Sequence, residues 1–143
     1  ISLADYYATK KGWRLDLPSA GERIVADTTV RAGRVVASSL IPSVAACSWG
    51  GSGWIIDVDV ITGNRSPALD TDNDNLVNAN DLVGGRWASA VQIGAVPAAA
   101  SIMRSKSRTL DDKLINTSDG SIVRVRELGN AKPSRRASWE QLQ

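Results

Sequence analysis

The sequence predicts a mainly β chain. Apolar and polar residues alternate at a period of two over several short stretches, turn residues interrupt these stretches at short intervals, and a helical signal shows only in the first few residues. Short strands of this kind build a sandwich, a barrel or the blades of a propeller. A propeller blade takes about 40–45 residues, so a chain of this length would supply roughly three blades, too few to close a ring. No clean internal repeat accompanies the pattern.

The opening "ISLADYYATKKG" carries a short helix signal, with Ser2 as a cap, Asp5 three residues on and Gly12 closing the other end. In "GWRLDLP" the period changes, placing Trp13, Leu15 and Leu17 on one face of a strand that Pro18 ends. Short β runs follow at Arg23 to Ala26, Thr28 to Val30 and Arg34 to Ile41, with "RAGR" a tight turn at Gly33. A glycine-rich bend then leads into a strong strand with Trp54, Ile56, Val58 and Val60 on one face and Asp57 and Asp59 on the other. "TGN" at Thr62 to Asn64 ends it as a hairpin turn. Weaker runs appear at Val96 to Met103 and Lys113 to Asn116. "SDGSIVRVREL" gives a turn at Asp119 and Gly120, then a strand with Val123 and Val125 opposite Arg124 and Arg126.

Composition narrows the chemistry. There is no histidine, which removes Ser-His-Asp and Cys-His catalysis, His-ligated zinc and imidazole-held haem. The single cysteine, Cys47, excludes an internal disulfide and reads as a buried thiol or as half of a disulfide to a part of the protein outside this chain. A net charge of +2 gives no sign of a nucleic-acid binder. Two charge-free stretches, Val35 to Ile56 and Trp87 to Met103, are broken by Pro42, Pro97 and glycines, so they read as buried sheet and turn instead of membrane spans. The start at Ile1, without Met or an apolar leader, reads as a processed product or a fragment.

The sharpest constellation is "LDTDNDNLVNANDL". Counting Asp70 as position 1 puts Asp72 at 3, Asp74 at 5, Leu76 at 7, Asn78 at 9 and Asp81 at 12, the ligand spacing of an EF-hand-type calcium loop. Calcium takes six to eight oxygens at about 2.3–2.6 Å. The four carboxylates, the Asn78 side chain and the Leu76 carbonyl supply most of them. Asn75 stands at position 6, where glycine is usual, and Asn is the non-glycine residue that best tolerates the left-handed backbone needed there. Asp replaces Glu at position 12, which shortens the reach of the closing ligand. Strands precede the loop and only "NANDLVGG" offers a short helix after it, so the flanking helix pair of a full EF-hand is not expected. Between Asp57 and Asp81 the sequence offers only Arg65 against the acidic residues, so without a cation the segment repels itself.

Other candidates read more simply. Trp13 and Trp54 sit on apolar strand faces and are expected in the core, whereas Trp49, in the glycine bend, is the aromatic best placed for a partner. Trp87 and Trp139 carry no clear assignment beyond core. Asp57 and Asp59 are expected to be solvated, and the basic tail with Arg135 and Arg136 reads as a solvated terminus. No enzyme motif emerges.

Several of these stretches, in this order, resemble the C-terminal end of the PilY family of type IV pilus tip-associated adhesin and biogenesis proteins. They are "KGWRLDLPSAGERIVADTTVRAGRVVASSLIPS", "CSWGGSGWIIDVDVITGNR", "LDTDNDNLVNANDL" and the terminal "SWEQLQ". The resemblance runs from Lys11 to Gln143 and implies that the chain is the last section, a single segment over residues 1–143, of a modified β-propeller with antiparallel blades. It further implies a non-enzymatic role in pilus assembly, opposition to retraction, twitching motility and adhesion, in some cases under calcium control. The implied partners are minor pilins, a host or surface receptor and the rest of the propeller chain. The implied setting is an exported protein at the pilus tip, cell surface or outer membrane of a Gram-negative bacterium. The calcium ligands carried over by position are Asp70, Asp72, Asp74, the Leu76 carbonyl, Asn78 and Asp81. Two other readings compete: "IIDVDVITGNR" is also similar to a blade of quinoprotein dehydrogenases, and a single calcium loop is shared with dockerin-like interaction modules.

Overall fold

The computed structural model describes residues 8–45, 48–105 and 109–129. Among them run eleven strands: β1 (Arg23–Ile24), β2 (Thr29–Arg31), β3 (Arg34–Pro42), β4 (Gly51–Asp59), β5 (Leu69–Asp70), β6 (Leu82–Val83), β7 (Arg86–Trp87), β8 (Ala90–Ile93), β9 (Ser101–Arg104), β10 (Leu110–Asn116) and β11 (Ile122–Leu128). A 3-10 turn, Ala79–Asp81, lies between β5 and β6. The protein is mainly β, as its sequence predicts. All strand pairings are antiparallel, and neither main sheet closes on itself.

In the first sheet β3 is flanked by β1 and β2 on one side and by β4 and then β8 on the other. β3 and β4 pair along their full length, from Arg34 opposite Asp59 to Pro42 opposite Gly51. The β2–β3 turn needs left-handed backbone at both central residues, and Ala32 (φ 52°) and Gly33 (φ 77°) supply it. The second sheet has the order β5-β11-β10-β9, with the Asp119–Gly120 turn joining β10 to β11. β6 and β7 form a separate ribbon after the acidic loop. No helix of the described residues is long and apolar enough to cross a membrane.

Alternation along the long strands decides what the two sheets bury. Val36, Ile55 and Ile93 of the first sheet meet Leu69, Ile115 and Val125 of the second in one apolar cluster. The opposite face of the first sheet carries Ala37, Ile56 and Val58, against which Leu17, Val35, Trp54 and Ala90 pack. Both faces of β4 are therefore covered. Ile55→Ala is expected to cost about 2–5 kcal/mol in a denaturant titration, because the fully enclosed site cannot collapse around the void.

Several expectations are corrected. The stretch from Trp13 to Leu17 is not a strand. It is held to the first sheet by side chains: Trp13 Nε1 donates to the Val60 carbonyl (3.1 Å), and the indole lies so close over Gly63 that a Cβ there would fall 2.5 Å from it. Trp13 is accordingly 37% exposed, a cover instead of a core residue. "TGN" does form a turn, tied by the Asp59 carboxylate to the Ile61 and Thr62 amides, but the chain after it leaves for the second sheet. "NANDLVGG" gives a 3-10 turn followed by the β6–β7 ribbon. Ala8 and Thr9 are helical, but the helix stops before Lys10 instead of running to Gly12; residues 1–7 lie outside the described residues, as do Cys47, Trp139 and the tail with Arg135 and Arg136.

The largest departure concerns Asp57, which is fully buried instead of solvated. Its parity is that of Ile55. Lys113 shares the parity of Ile115, Glu127 that of Val125 and Arg34 that of Val36, so the inter-sheet layer is apolar at one end and ionic at the other. Arg34 Nε and Lys113 Nζ both contact the Asp57 carboxylate, Arg34 also reaches Ser66 Oγ, and Lys113 Nζ lies 2.6 Å from Glu127 Oε2. Beside them the buried Asp111 pairs with Arg31 of β2 (2.6 Å), with Arg104 4.0 Å away.

Burial raises the Glu127 carboxyl, a proton shared with Asp57 adds to this, and together they outweigh the Lys113 charge, leaving it pushed up to about 8. Asp57 goes the other way. Burial alone would raise it, but the hydrogen bond from Glu127 and the charges of Lys113 and Arg34 bring it below the ordinary range. A carboxyl whose folded value is about 8 against 4.5 gives stability that is whole below the lower value and is lost as pH rises through the upper one. The melting temperature is therefore expected to fall by roughly 5 °C or more between about pH 6 and about pH 9, and Glu127→Gln to flatten that fall. Thermal scans across this range check it.

Candidate metal centre

The acidic loop starts from a fixed point. Asp70 ends β5, where it stands opposite Arg126 of β11, so the second sheet anchors the first candidate ligand. Beyond it the chain bends through Asn73 (φ 62°) and Asn75 (φ 70°), both in the left-handed region that Asn tolerates. Position 6 thus takes the conformation expected of it. The turn is held by its own carboxylates: Asp70 Oδ2 accepts from the Asn75 amide (3.1 Å), Asp72 Oδ1 from the Asp74 amide (3.1 Å) and Asp74 Oδ1 from the Leu76 amide (2.7 Å).

This folding brings Asp70, Asp72 and Asp74 together, with a carboxylate oxygen from each lying within 4.8 Å of the others. Asp70 is buried, and its Oδ1 has no hydrogen-bond partner. A buried carboxylate oxygen without a donor is costly unless a cation satisfies it. Asp72 and Asp74 are exposed, open to an ion from solvent. The hydrogen bond from the Asp74 amide lowers the Asp72 carboxyl, but desolvation and the charges of Asp74, Asp81 and Asp70 outweigh it, and the net shift is upward. A divalent ion would reverse that balance.

The remaining positions differ in use. Asn78 joins the group through Asp74, its Nδ2 donating to Asp74 Oδ2 (3.2 Å), while its Oδ1 caps the 3-10 turn by accepting from the Asn80 amide (2.8 Å). Asp81 is buried and faces the loop backbone. Its Oδ1 accepts from the Thr71 amide (2.5 Å) and hydroxyl (3.1 Å), and its Oδ2 from the Asn78 amide (2.8 Å). Burial would raise this carboxyl, but these donors outweigh it and hold it below the ordinary range. Asp81 therefore stands as the clasp that closes the loop. Leu76, at position 7, has an exposed side chain, and its amide donates to Asp74. The loop is flanked by β5 and by a single 3-10 turn, without the helix pair of an EF-hand or of a dockerin-like module.

Arg126, on β11, joins the site from across the sheet. Arg126 Nη1 lies 3.7 Å from Asp70 Oδ2 and donates to the Asn73 carbonyl (3.3 Å), and its Nε is 3.5 Å from Asp112. Its place in "IVRVREL", on the face opposite Val125, was legible, but not the strand it would meet. Because Glu127 follows Arg126 and stands opposite Leu69, β11 connects the loop to the inter-sheet ion cluster.

Comparison with known proteins bears on this arrangement. A type IV pilus biogenesis factor PilY1 homolog from Xylella fastidiosa strain Temecula1 is 35% identical over 66 residues. The chain is similar to a PilY protein, as its motifs suggest. The match covers 42% of this chain and only 4% of that relative, so the chain corresponds to a small part of the relative's length. No family model matches the chain, and no solved structure matches it.

Proposed function

We propose that this chain is a non-enzymatic, calcium-binding section of a PilY-type pilus protein, exported and placed at the pilus tip or cell surface. The observation that carries the calcium assignment is the convergence of Asp70, Asp72 and Asp74 with one buried Asp70 oxygen left without a donor. Asp70, Asp72 and Asp74 would hold the ion, with the Leu76 carbonyl, Asn78 and Asp81 completing or bracing the loop. The ion would supply charge neutralisation and fix the loop, and through β5 and β11 the edge of the second sheet.

The pilus assignment is supported by the similarity to the PilY1 homolog. Two antiparallel sheets packed face to face and left open fit adjacent blades of an incomplete propeller. In this reading the calcium-set surface meets minor pilins or a receptor, supports assembly, opposes retraction and aids adhesion and twitching. Trp49, 63% exposed in the bend before β4, offers a separate aromatic contact.

In cells carrying Asp72→Ala in the full-length protein, surface piliation and twitching should no longer respond to calcium, while the protein is still exported in normal amount. An unaltered calcium response in that strain overturns the regulatory part of the reading.

A further inference from the structure

We infer that Lys113 and Asp57 become joined by an intramolecular amide bond, with Glu127 carrying the protons, so that the two sheets are covalently clamped. Lys113, Asp57 and Glu127 are each fully buried, and they come from three strands, β10, β4 and β11. The Lys113 Nζ is in contact with Asp57 Oδ2 and lies 2.6 Å from Glu127 Oε2. The Glu127 carboxyl is therefore close enough to the amine to exchange a proton with it. The inner layer around the triad is apolar on one side, through Ile55, Ile115 and Val125.

The chemistry follows from these positions. In water an ammonium and a carboxylate do not condense, because both are charged and solvated. If the Glu127 carboxyl gives a proton to Asp57 Oδ2 and takes one from Lys113 Nζ, 2.6 Å away, an amine is left beside a carboxylic acid. The amine lone pair attacks Cγ of Asp57, forming the C–N bond. The developing negative charge falls on Oδ1, which faces the Arg34 guanidinium, a donor already in place for it. Glu127 takes a proton from the attacking nitrogen and delivers one to Oδ2. The C–Oδ2 bond then breaks and one water leaves. The balance is ammonium plus carboxylate to amide plus water, with no oxidant or outside reagent. A polar cavity bordered by Arg34, Ser66, Leu128 and Gly129 gives the water a way out. Fixed juxtaposition of the reacting groups replaces activation of the carboxyl, since well-oriented partners reach effective concentrations of about 10⁵–10⁸ M.

The consequence is mechanical. The bond would join residues 56 apart in sequence and tie the first sheet to the second at the ionic end of their interface. This holds whether or not the acidic loop binds calcium.

Intact-mass measurement of the purified chain, followed by peptide mapping, tests it. The expected mass is that of the sequence less one water, with a branched peptide linking Lys113 to Asp57. Glu127→Gln should fold and form the bond at least about 100-fold more slowly. Lys113→Arg should have the full mass. A natively folded chain with the full mass overturns the proposal. So does a water loss in which Lys113 remains free, which would locate the change within Asp57 alone.

Discussion

Asp57→Ala is expected to cost about 3–5 kcal/mol of folding stability, a large part of what a domain of this size possesses. The substitution leaves Lys113 and Arg34 inside the inter-sheet layer without the carboxylate that both contact. Glu127 offers partial relief by ionising, but its second neighbour Arg34 is 4.0 Å away, and Lys113 would hold it first. Lys113→Met should cost clearly less. There Asp57 keeps Arg34 and the proton of Glu127, so no charge is left unpaired. Denaturant unfolding of the two variants checks the order, and an Asp57→Ala cost below about 1 kcal/mol would contradict a buried ionic layer.

The second large effect is expected from calcium itself. At a concentration 100 times its dissociation constant, an ion that binds only the folded chain adds about 2.7 kcal/mol of stability. Asp72→Ala should abolish that gain. Without calcium the same variant should be no less stable than the parent, because the charges of Asp70, Asp74 and Asp81 act against an ionised Asp72. This opposite response with and without the ion separates a ligand from a structural residue. If Asp72→Ala is destabilised equally in both conditions, Asp72 serves the loop through its bond to the Asp74 amide and not through a metal.

Much of the fold was legible in the sequence. The "RAGR" turn, the β3 and β4 ladder and the β10–β11 hairpin appear where alternation and turn residues place them. The convergence of Asp70, Asp72 and Asp74 and the left-handed Asn75 were legible, whereas the turning of Asp81 onto the Thr71 and Asn78 amides was not. Pairing partners were not. Trp13 to Leu17 alternates like a strand yet has no ladder, since alternation reports one buried face and not whether an edge is there to pair with. Asp57 was misplaced for a related reason. Trp54, Ile56 and Val58 mark one apolar face of β4, which points Asp57 to solvent, but Ile55 shares its parity and a second sheet covers that side too. Only with β10 and β11 in place do Lys113 and Glu127 make a charge there tolerable. Likewise Arg65 seemed the only cation near the acidic loop, whereas Arg126, far along the chain, reaches Asp70 across the sheet.

The calcium site is the centre of this account, and calorimetric titration of the chain with calcium, beside the Asp72→Ala variant, tests it most directly. One ion per chain is expected, with a dissociation constant within about 10⁻⁷ to 10⁻³ M, and the binding heat should vanish in the variant. A parent chain that shows neither heat nor a rise in melting temperature at millimolar calcium would contradict it.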